Sequence, residues 1–371
     1  MRGYHFFNCF QANCIAVLID FQGTDIPLVF MQKRYFSILF AGMLLASCGK
    51  DEQPFAGVPQ PSNLPQPVYD FNQNPVTEAG FALGKKLFYD RLLSRDNTIA
   101  CADCHISYAA FSHPDHPTSH GIDSQFGRRN ALPVQNMIWK TGFFWDGGVP
   151  NLDLVPLNAI QSPVEMDETP AHVLEKLRAH PEYPALFKNA FGTEEISTAN
   201  FLHALSQFMA MLVSANSPYD KYIRQESGGT LTSEELQGLD IFKQKCAACH
   251  ATDLFSDQSY RNNGILDDFT FDKGRFEVST LPDDMGKFRV PSLRNVAATA
   301  PYMHNGKFKT LESVLDHYAS GVKDTPSLDP LLRQQDGTLG IPLTADEKTK
   351  LIAFLKSLTD EEFLRDARFA Q

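Results

Sequence analysis

Cysteine, cysteine and histidine recur in this chain at one fixed spacing, as Cys101-Ala-Asp-Cys104-His105 and again as Cys246-Ala-Ala-Cys249-His250. Two thiols with two residues between them can reach the same edge of a flat ligand. An imidazole on the very next residue is then carried beneath that ligand's centre. A redox-active C-x-x-C pair does not need the histidine, and a structural zinc site would need further ligands close by. The combination is the covalent attachment signature of c-type haem, with the histidine as proximal iron ligand. Two copies predict two covalently bound haems c.

The remaining composition limits what such a chain can do. At 371 residues it is long enough for two domains with ordinary cores. A formal net charge of −11 argues against nucleic acid and leaves a basic or neutral redox protein as a partner. Of the seven cysteines, four lie in the two motifs and the others are Cys9, Cys14 and Cys48, so no disulfide framework is indicated. Residues 1–30 are not expected in the translated or mature protein. Met31 opens a better export signal: Lys33-Arg34, then an apolar run from Tyr35 to Ala46 that is too short to span a bilayer. It ends Leu45-Ala46-Ser47-Cys48, which resembles a bacterial lipobox, so 31–48 reads as a lipoprotein signal peptide with Cys48 lipidated. A plain secretory signal with an incidental cysteine is the competing reading. Acyl chains on Cys48 would hold the protein at the bacterial membrane on the periplasmic side. Gly49-Lys50-Asp51-Glu52 leaves the cell surface open. The prolines of residues 49–73 predict a flexible tether.

The elements that must position the two motifs repeat. Asn74-Pro75 predicts the start of a helix with Phe81, Gly84, Leu87 and Phe88 on one face, leading by a loop to Cys101. Thr232-Ser-Glu-Glu235 is a capping box opening a helix with Leu236, Leu239 and Phe242 inward, leading to Cys246. Between them, Thr169-Pro170 and Ser197 cap two more helices, the second striped by Phe201, Leu202, Leu205, Phe208, Met209 and Leu212. His203 falls off that stripe, on the solvent side; Met209 reads as core and Met211 as surface. Thr344 and Glu347 cap a last helix with Leu351, Phe354, Leu355 and Leu358 on one side. The expected fold is all-α: two cytochrome c-like haem domains related by duplication, 74–226 and 227–371, with the boundary at Ser227-Gly-Gly229.

The segments after each motif differ. After His105 come Ser119-His120-Gly121, Gly127-Arg-Arg-Asn130, Phe143-Phe-Trp145-Asp-Gly-Gly148 and Pro163-Val-Glu165-Met166. Trp145 follows Asn130 by 15 residues and Glu165 follows Trp145 by 20. After His250 come Phe288-Arg-Val-Pro-Ser-Leu-Arg-Asn295 and Ala300-Pro-Tyr-Met303-His-Asn-Gly306. This series, in letters and spacing, resembles the bacterial di-haem cytochrome c peroxidase family, which includes MauG-like proteins. The resemblance covers roughly residues 74–360.

The resemblance implies reduction of hydrogen peroxide to water at the first haem, with electrons from a small cytochrome c or cupredoxin entering at the second. Glu165 would move protons between the peroxide oxygens, a task that one carboxyl can perform as base and then acid. Trp145 would relay electrons between the haems. Asn130, with the carbonyls of Arg289 and Pro291, would hold an inter-domain calcium. Each has an ordinary reading as well: a surface carboxylate, a core aromatic, a turn asparagine. Met303 would be the sixth ligand of the second iron, since a thioether raises the potential of an electron-storing haem. Met285, Tyr302 and His304 stay open for that role, a tyrosine being the choice of the MauG branch.

Two departures from the family pattern matter. The loop position at which many of these peroxidases carry a histidine that blocks the resting first iron is Ile122 here. His113, His116 and His120 are nearby substitutes; an open, five-coordinate iron is the expectation. Near Val155 a glutamine common in the family is replaced by an aliphatic residue, making a less polar pocket. A MauG-like oxidase of a protein or organic substrate, and a non-catalytic electron-transfer cytochrome, are the alternatives. A homodimer is left open.

Overall fold

The computed structural model describes residues 55–114 and 116–371. The expected signal peptide, Cys48 and the residues before Met31 lie outside them. Among the described residues no helix is long and apolar enough to cross a membrane.

The architecture is helical: α1 (Glu78–Phe88), α2 (Cys101–Cys104), α3 (Val155–Gln161), α4 (Pro170–Ala179), α5 (Tyr183–Phe191), α6 (Thr198–Met211), α7 (Pro218–Ile223), α8 (Ser233–Lys245), α9 (Phe276–Ser279), α10 (Leu311–Asp316), α11 (Ala345–Lys356) and α12 (Glu361–Leu364). The strands β1 (Tyr260–Arg261) and β2 (Phe288–Arg289) make one short antiparallel ladder. A single π-helical turn, His317–Gly321, extends α10. The caps expected at Thr169, Ser197, Thr232 and Thr344 all accept from backbone N–H groups in the first turn.

Three local expectations are corrected. The first helix is capped by Thr77, whose hydroxyl accepts from Gly80 N, and not by Asn74. Asn74 is buried and its amide donates to Tyr69 Oη and to the His203 carbonyl. Met211 is 3 % exposed, in the core with Met209, because α6 is enclosed around most of its circumference. The tether reading fails from Phe55 onward. Phe55, Leu64, Tyr69 and Phe71 pack on the first core, and the Trp139 indole donates to Pro65 O at 2.7 Å. Apolar side chains between the prolines make this segment a strap.

Two apolar cores share one construction. In the first, Phe88 of α1, Phe111 and Phe208 of α6 form a triangle with ring centroids 5.8, 5.0 and 6.1 Å apart. In the second, Phe242 of α8, Phe255 and Phe354 of α11 form a triangle at 5.6, 5.1 and 6.1 Å. A glycine brings each helix pair together. A Cβ on Gly84 would lie 1.9 Å from the Ala204 carbonyl oxygen, and one on Gly238 would lie 2.0 Å from that of Lys350. Larger residues there would push the helices apart and open each core. The C-terminal residues Phe363 and Phe369 return to pack in the first core.

Between the cores, Arg294 forks onto both oxygens of Asp220 at 2.8 Å, with the side chains 1 % and 0 % exposed. Removing one partner leaves the other charged and buried. Asp220→Ala is therefore expected to cost about 3–5 kcal/mol, read as a lowered urea midpoint of the haem-loaded protein; an unchanged midpoint would contradict it.

Candidate functional site

Each C-x-x-C-H histidine is oriented by a main-chain carbonyl from its own phenylalanine triangle. His105 Nδ1 lies 2.7 Å from Phe111 O, and His250 Nδ1 lies 3.1 Å from Phe255 O. A carbonyl only accepts, so Nδ1 carries the proton and donates, leaving Nε2 as the free lone pair. Burial favours the neutral ring: it pushes His105 down to about 4 and lowers His250 as well. The four thiols are kept protonated by burial, Cys101 and Cys246 up to about 12 and Cys104 up to about 11.

At the second site Cys246, Cys249 and His250 open on a cavity of about 550 Å³ walled by Val290, Leu293, Val296, Leu315 and Leu355. That lies within the roughly 300–1,000 Å³ of cofactor sites. Two thiols on one rim, a neutral imidazole with its Nε2 free and an apolar wall are the donor set that a haem c needs. The first site has the same thiol and imidazole arrangement, on α2.

The segments that follow arrange the two sites differently. At the first, Glu165 sits in a turn in which its N–H donates to Ser162 O at 3.0 Å and its carbonyl accepts from Ile122 N at 2.8 Å. Gly121 allows this contact, since a Cβ there would lie 2.1 Å from Val164 O. Arg95 ties the two loops by pairing with Asp123 and Asp167. The Glu165 charge helps raise both the Cys101 and Cys104 thiols. Burial pushes it up to about 7.

The loop beside Glu165 thus presents the buried Ile122. The three histidines lie along the same loop, His116 between His113 and His120 at centroid distances of 5.6 and 5.0 Å, and the His120 ring rests on Phe126. His203 is half-buried, with Nε2 3.8 Å from Asp153.

Trp145 is 8 % exposed and borders the second cavity. Its indole donates to Asn130 O at 2.9 Å, and its carbonyl accepts from Arg289 N at 2.7 Å. Asn130 in turn donates from N to His304 O and from Nδ2 to Pro117 O. Trp145 is therefore fixed to both chain halves. Pro291 lines the second cavity and its carbonyl faces the His250 ring.

Of the four residues considered opposite His250, Tyr302, Met303 and His304 line the cavity and Met285 does not. The Tyr302 hydroxyl is engaged, donating to Val296 O at 3.0 Å. His304 stacks flat on Phe288 at 3.6 Å, its ring kept neutral by burial. Met303 has φ +72°, a strained value for a side-chain-bearing residue, and its Sδ accepts from Asn263 Nδ2 at 3.3 Å. Sequence reasoning missed Tyr318. It stands on the π-helical turn and lines this cavity, and burial pushes its phenol up to about 12. The signal was faint: a tyrosine one turn beyond an ordinary helix, with π-turns themselves the usual mark of a functional position.

Comparison with known proteins agrees with this geometry. A family model described as di-haem cytochrome c peroxidase matches residues 78–228. The chain is 33 % identical over 330 residues to the methylamine utilization protein MauG of Methylorubrum extorquens, covering 86 % of this chain and 90 % of that protein. It is 32 % identical over 308 residues to the cytochrome c551 peroxidase of Pseudomonas aeruginosa, covering 81 % and 84 %. A crystal structure of a MauG-like protein associated with microbial copper homeostasis superposes with a TM-score of 0.75 at 34 % identity, covering 84 % of this chain and 97 % of that one.

The Glu165 carboxyl should be protonated below pH 7 and ionised above it. A raised carboxyl pKa means that the folded chain holds this proton where the unfolded chain has released it, so its stabilising contribution fades as pH rises from the ordinary carboxyl range through about 7. Infrared difference spectra should show a carboxylic acid band disappearing with a midpoint near 7 and missing in Glu165→Gln; a midpoint near 4.5 would refute the assignment.

Proposed function

The chain belongs to the di-haem cytochrome c peroxidase family, and we propose that it reduces hydrogen peroxide to water with electrons from a small cytochrome c or cupredoxin. The observation that carries this is the pairing of a half-buried carboxyl poised near 7 with the first C-x-x-C-H site, and of an apolar cavity lined by Met303 and Tyr318 with the second. When bound, the haems supply peroxide binding and cleavage at the first site and electron storage at the second.

The chain's own residues do the rest. His105 and His250 offer Nε2 to iron, each held by its carbonyl, and the paired cysteines supply the thioether links. Glu165, neutral or ionised with nearly equal ease at pH 7, takes the proton from the attacking peroxide oxygen and returns one to the departing oxygen. Ile122 offers no ligand, so a haem held by His105 would need no reductive unblocking step if His113, His116 and His120 stay off the iron. Trp145, bonded to Asn130 on one side and Arg289 on the other, is the proposed electron relay. The same convergence supports calcium held by the Asn130 side chain and the carbonyls of Arg289 and Pro291, although Asn130 Nδ2 already serves Pro117 and the Pro291 carbonyl already faces His250.

The proposal extends to the chain's organisation and place. The repeated Phe–Phe–Phe triangle and glycine crossing support two haem domains, 74–226 and 227–371, arising by duplication. The segment before Phe55 supports a periplasmic, Cys48-anchored lipoprotein, testable by labelling with a fatty acid that Cys48→Ser should not incorporate.

One observation favours a second reading. Tyr318 shares the second cavity with Met303, and a tyrosine ligand would lower that haem's potential and suit a MauG-like oxidase of a protein or organic substrate. Resting optical and EPR spectra decide: Met303→Leu should abolish a thioether-to-iron charge-transfer band that Tyr318→Phe leaves intact. The reverse pattern would assign the ligand to Tyr318.

Steady-state peroxide consumption with a reduced small cytochrome tests the main reading. Wild type should turn over and Glu165→Gln should fall by about 10²–10⁴-fold, with chelation by EGTA lowering turnover where calcium is held. An inactive wild type, or a fully active Glu165→Gln, would overturn it.

A further inference from the structure

Tyr260 is built into the loop that carries Trp145. On β1 it pairs across the ladder with Arg289, whose N–H donates to the Trp145 carbonyl at 2.7 Å. Its hydroxyl end lies against two glycines of that loop. A Cβ on Gly142 would sit 2.8 Å from Tyr260 Oη, and one on Gly147 would overlap it. Gly147 also has φ +70°, a conformation that glycine adopts without strain. The Arg275 guanidinium stacks over the Tyr260 ring, 4.1 Å from its centroid, and its Nη1 donates at 2.7 Å to the carbonyl of Asp146, the residue after Trp145. Ladder, glycines and arginine together hold a phenol against backbone two residues from the indole.

Other tyrosines of the fold have their hydroxyls engaged. Tyr69, Tyr183 and Tyr219 donate to Asp153, Asp90 and Asp253, and Tyr89 and Tyr302 donate to the carbonyls of Phe369 and Val296. The Tyr260 hydroxyl donates to none of the described residues, and the side chain is half-buried where Trp145 is 8 % exposed. A phenol gives up an electron readily only when its proton leaves as well, and Tyr260 can pass that proton to water. The stacked Arg275 acts in the same direction, because a cation on the ring face disfavours a ring left positively charged. Next to this ring an apolar shelf faces solvent: Val278 of α9 and Leu281 after it are 43 % and 59 % exposed, and Val278 lies 3.5 Å from the position of a Gly148 Cβ. A shelf of that kind beside a phenol suits a small aromatic molecule with a hydroxyl of its own.

We propose that Tyr260 is a surface oxidation site for small phenols, fed by Trp145. The inference rests on peroxide reduction at the first site and on Trp145 as the relay. An indole that has lost an electron takes one from Tyr260, and the phenolic proton passes to water. The Tyr260 phenoxyl then takes a hydrogen atom, one electron and one proton, from the phenol on the shelf and returns to its starting state. Reducing one peroxide to two waters takes two electrons and two protons. Two passes through Tyr260 supply both, and two phenols leave as phenoxyl radicals. This route needs no electron from the second site.

The test uses the haem-loaded protein, its variants Tyr260→Phe and Trp145→Phe, and guaiacol as the phenol. EPR of samples frozen after peroxide addition, with no donor present, should show an organic radical whose signal narrows on ring deuteration of tyrosine. That signal should be lost in Tyr260→Phe and in Trp145→Phe. Spin trapping followed by peptide mass spectrometry should place the adduct on the peptide that contains Tyr260. Guaiacol oxidation should be largely lost in both variants, while Tyr260→Phe keeps the wild-type peroxide turnover with a reduced small cytochrome. A tyrosyl signal or a guaiacol rate unchanged in Tyr260→Phe would overturn the site and leave the peroxidase reading intact. A signal that survives Trp145→Phe would overturn the feed from the indole. A wild type that consumes no peroxide with the reduced cytochrome would instead overturn the peroxidase reading on which the inference rests.

Discussion

The hydrogen bond from each proximal imidazole to a phenylalanine carbonyl is the constraint that the rest of the fold serves. A histidine ring with a free rotor and two tautomers cannot present one nitrogen reliably to a metal. Phe111 and Phe255 remove that freedom, and each carbonyl is itself immobile because its own ring is locked in an aromatic triangle. The triangles exist because Gly84 and Gly238 let two helices cross at backbone contact. Replacing either glycine would thus be felt at the motif imidazole through a chain of packed atoms and not through any direct contact.

With that scaffold built twice, the difference between the sites lies in what the following loops bring. The first receives a carboxyl whose burial holds it near neutrality, supported by Gly121 and the Arg95 clamp. The second receives a cavity with a thioether and a phenol on its wall. Trp145 and Asn130 belong to the first half by sequence but bond to Arg289 and His304 of the second. The geometry of one site therefore depends on the integrity of the other, and the buried Arg294–Asp220 fork adds a charged link between the cores.

Much of this was legible in the residues. The C-x-x-C-H spacing and the capped helices at Thr232 and Thr344 declare themselves through local chemistry, and the Trp145 and Glu165 segments through their resemblance to the di-haem peroxidase family. What was not legible depended on long-range packing. Proline-rich residues 55–73 look like a tether until Leu64 and Tyr69 find a core contributed by residues far along the chain. Thr77 wins the cap from Asn74 because Asn74 is drawn to Tyr69 and the His203 carbonyl. Tyr318 lines the second cavity from a π-turn that no local sequence pattern announces.

The central claim is a division of labour, with electrons stored at the Cys246–His250 site and peroxide handled at the Cys101–His105 site. EPR during a stepwise reductive titration measures it most directly. The account predicts that the first electron equivalent removes the low-spin signal of the six-coordinate second haem while the high-spin signal of the open first haem persists. Loss of the high-spin signal first, or a first haem that is low-spin before any electron is added, would contradict it.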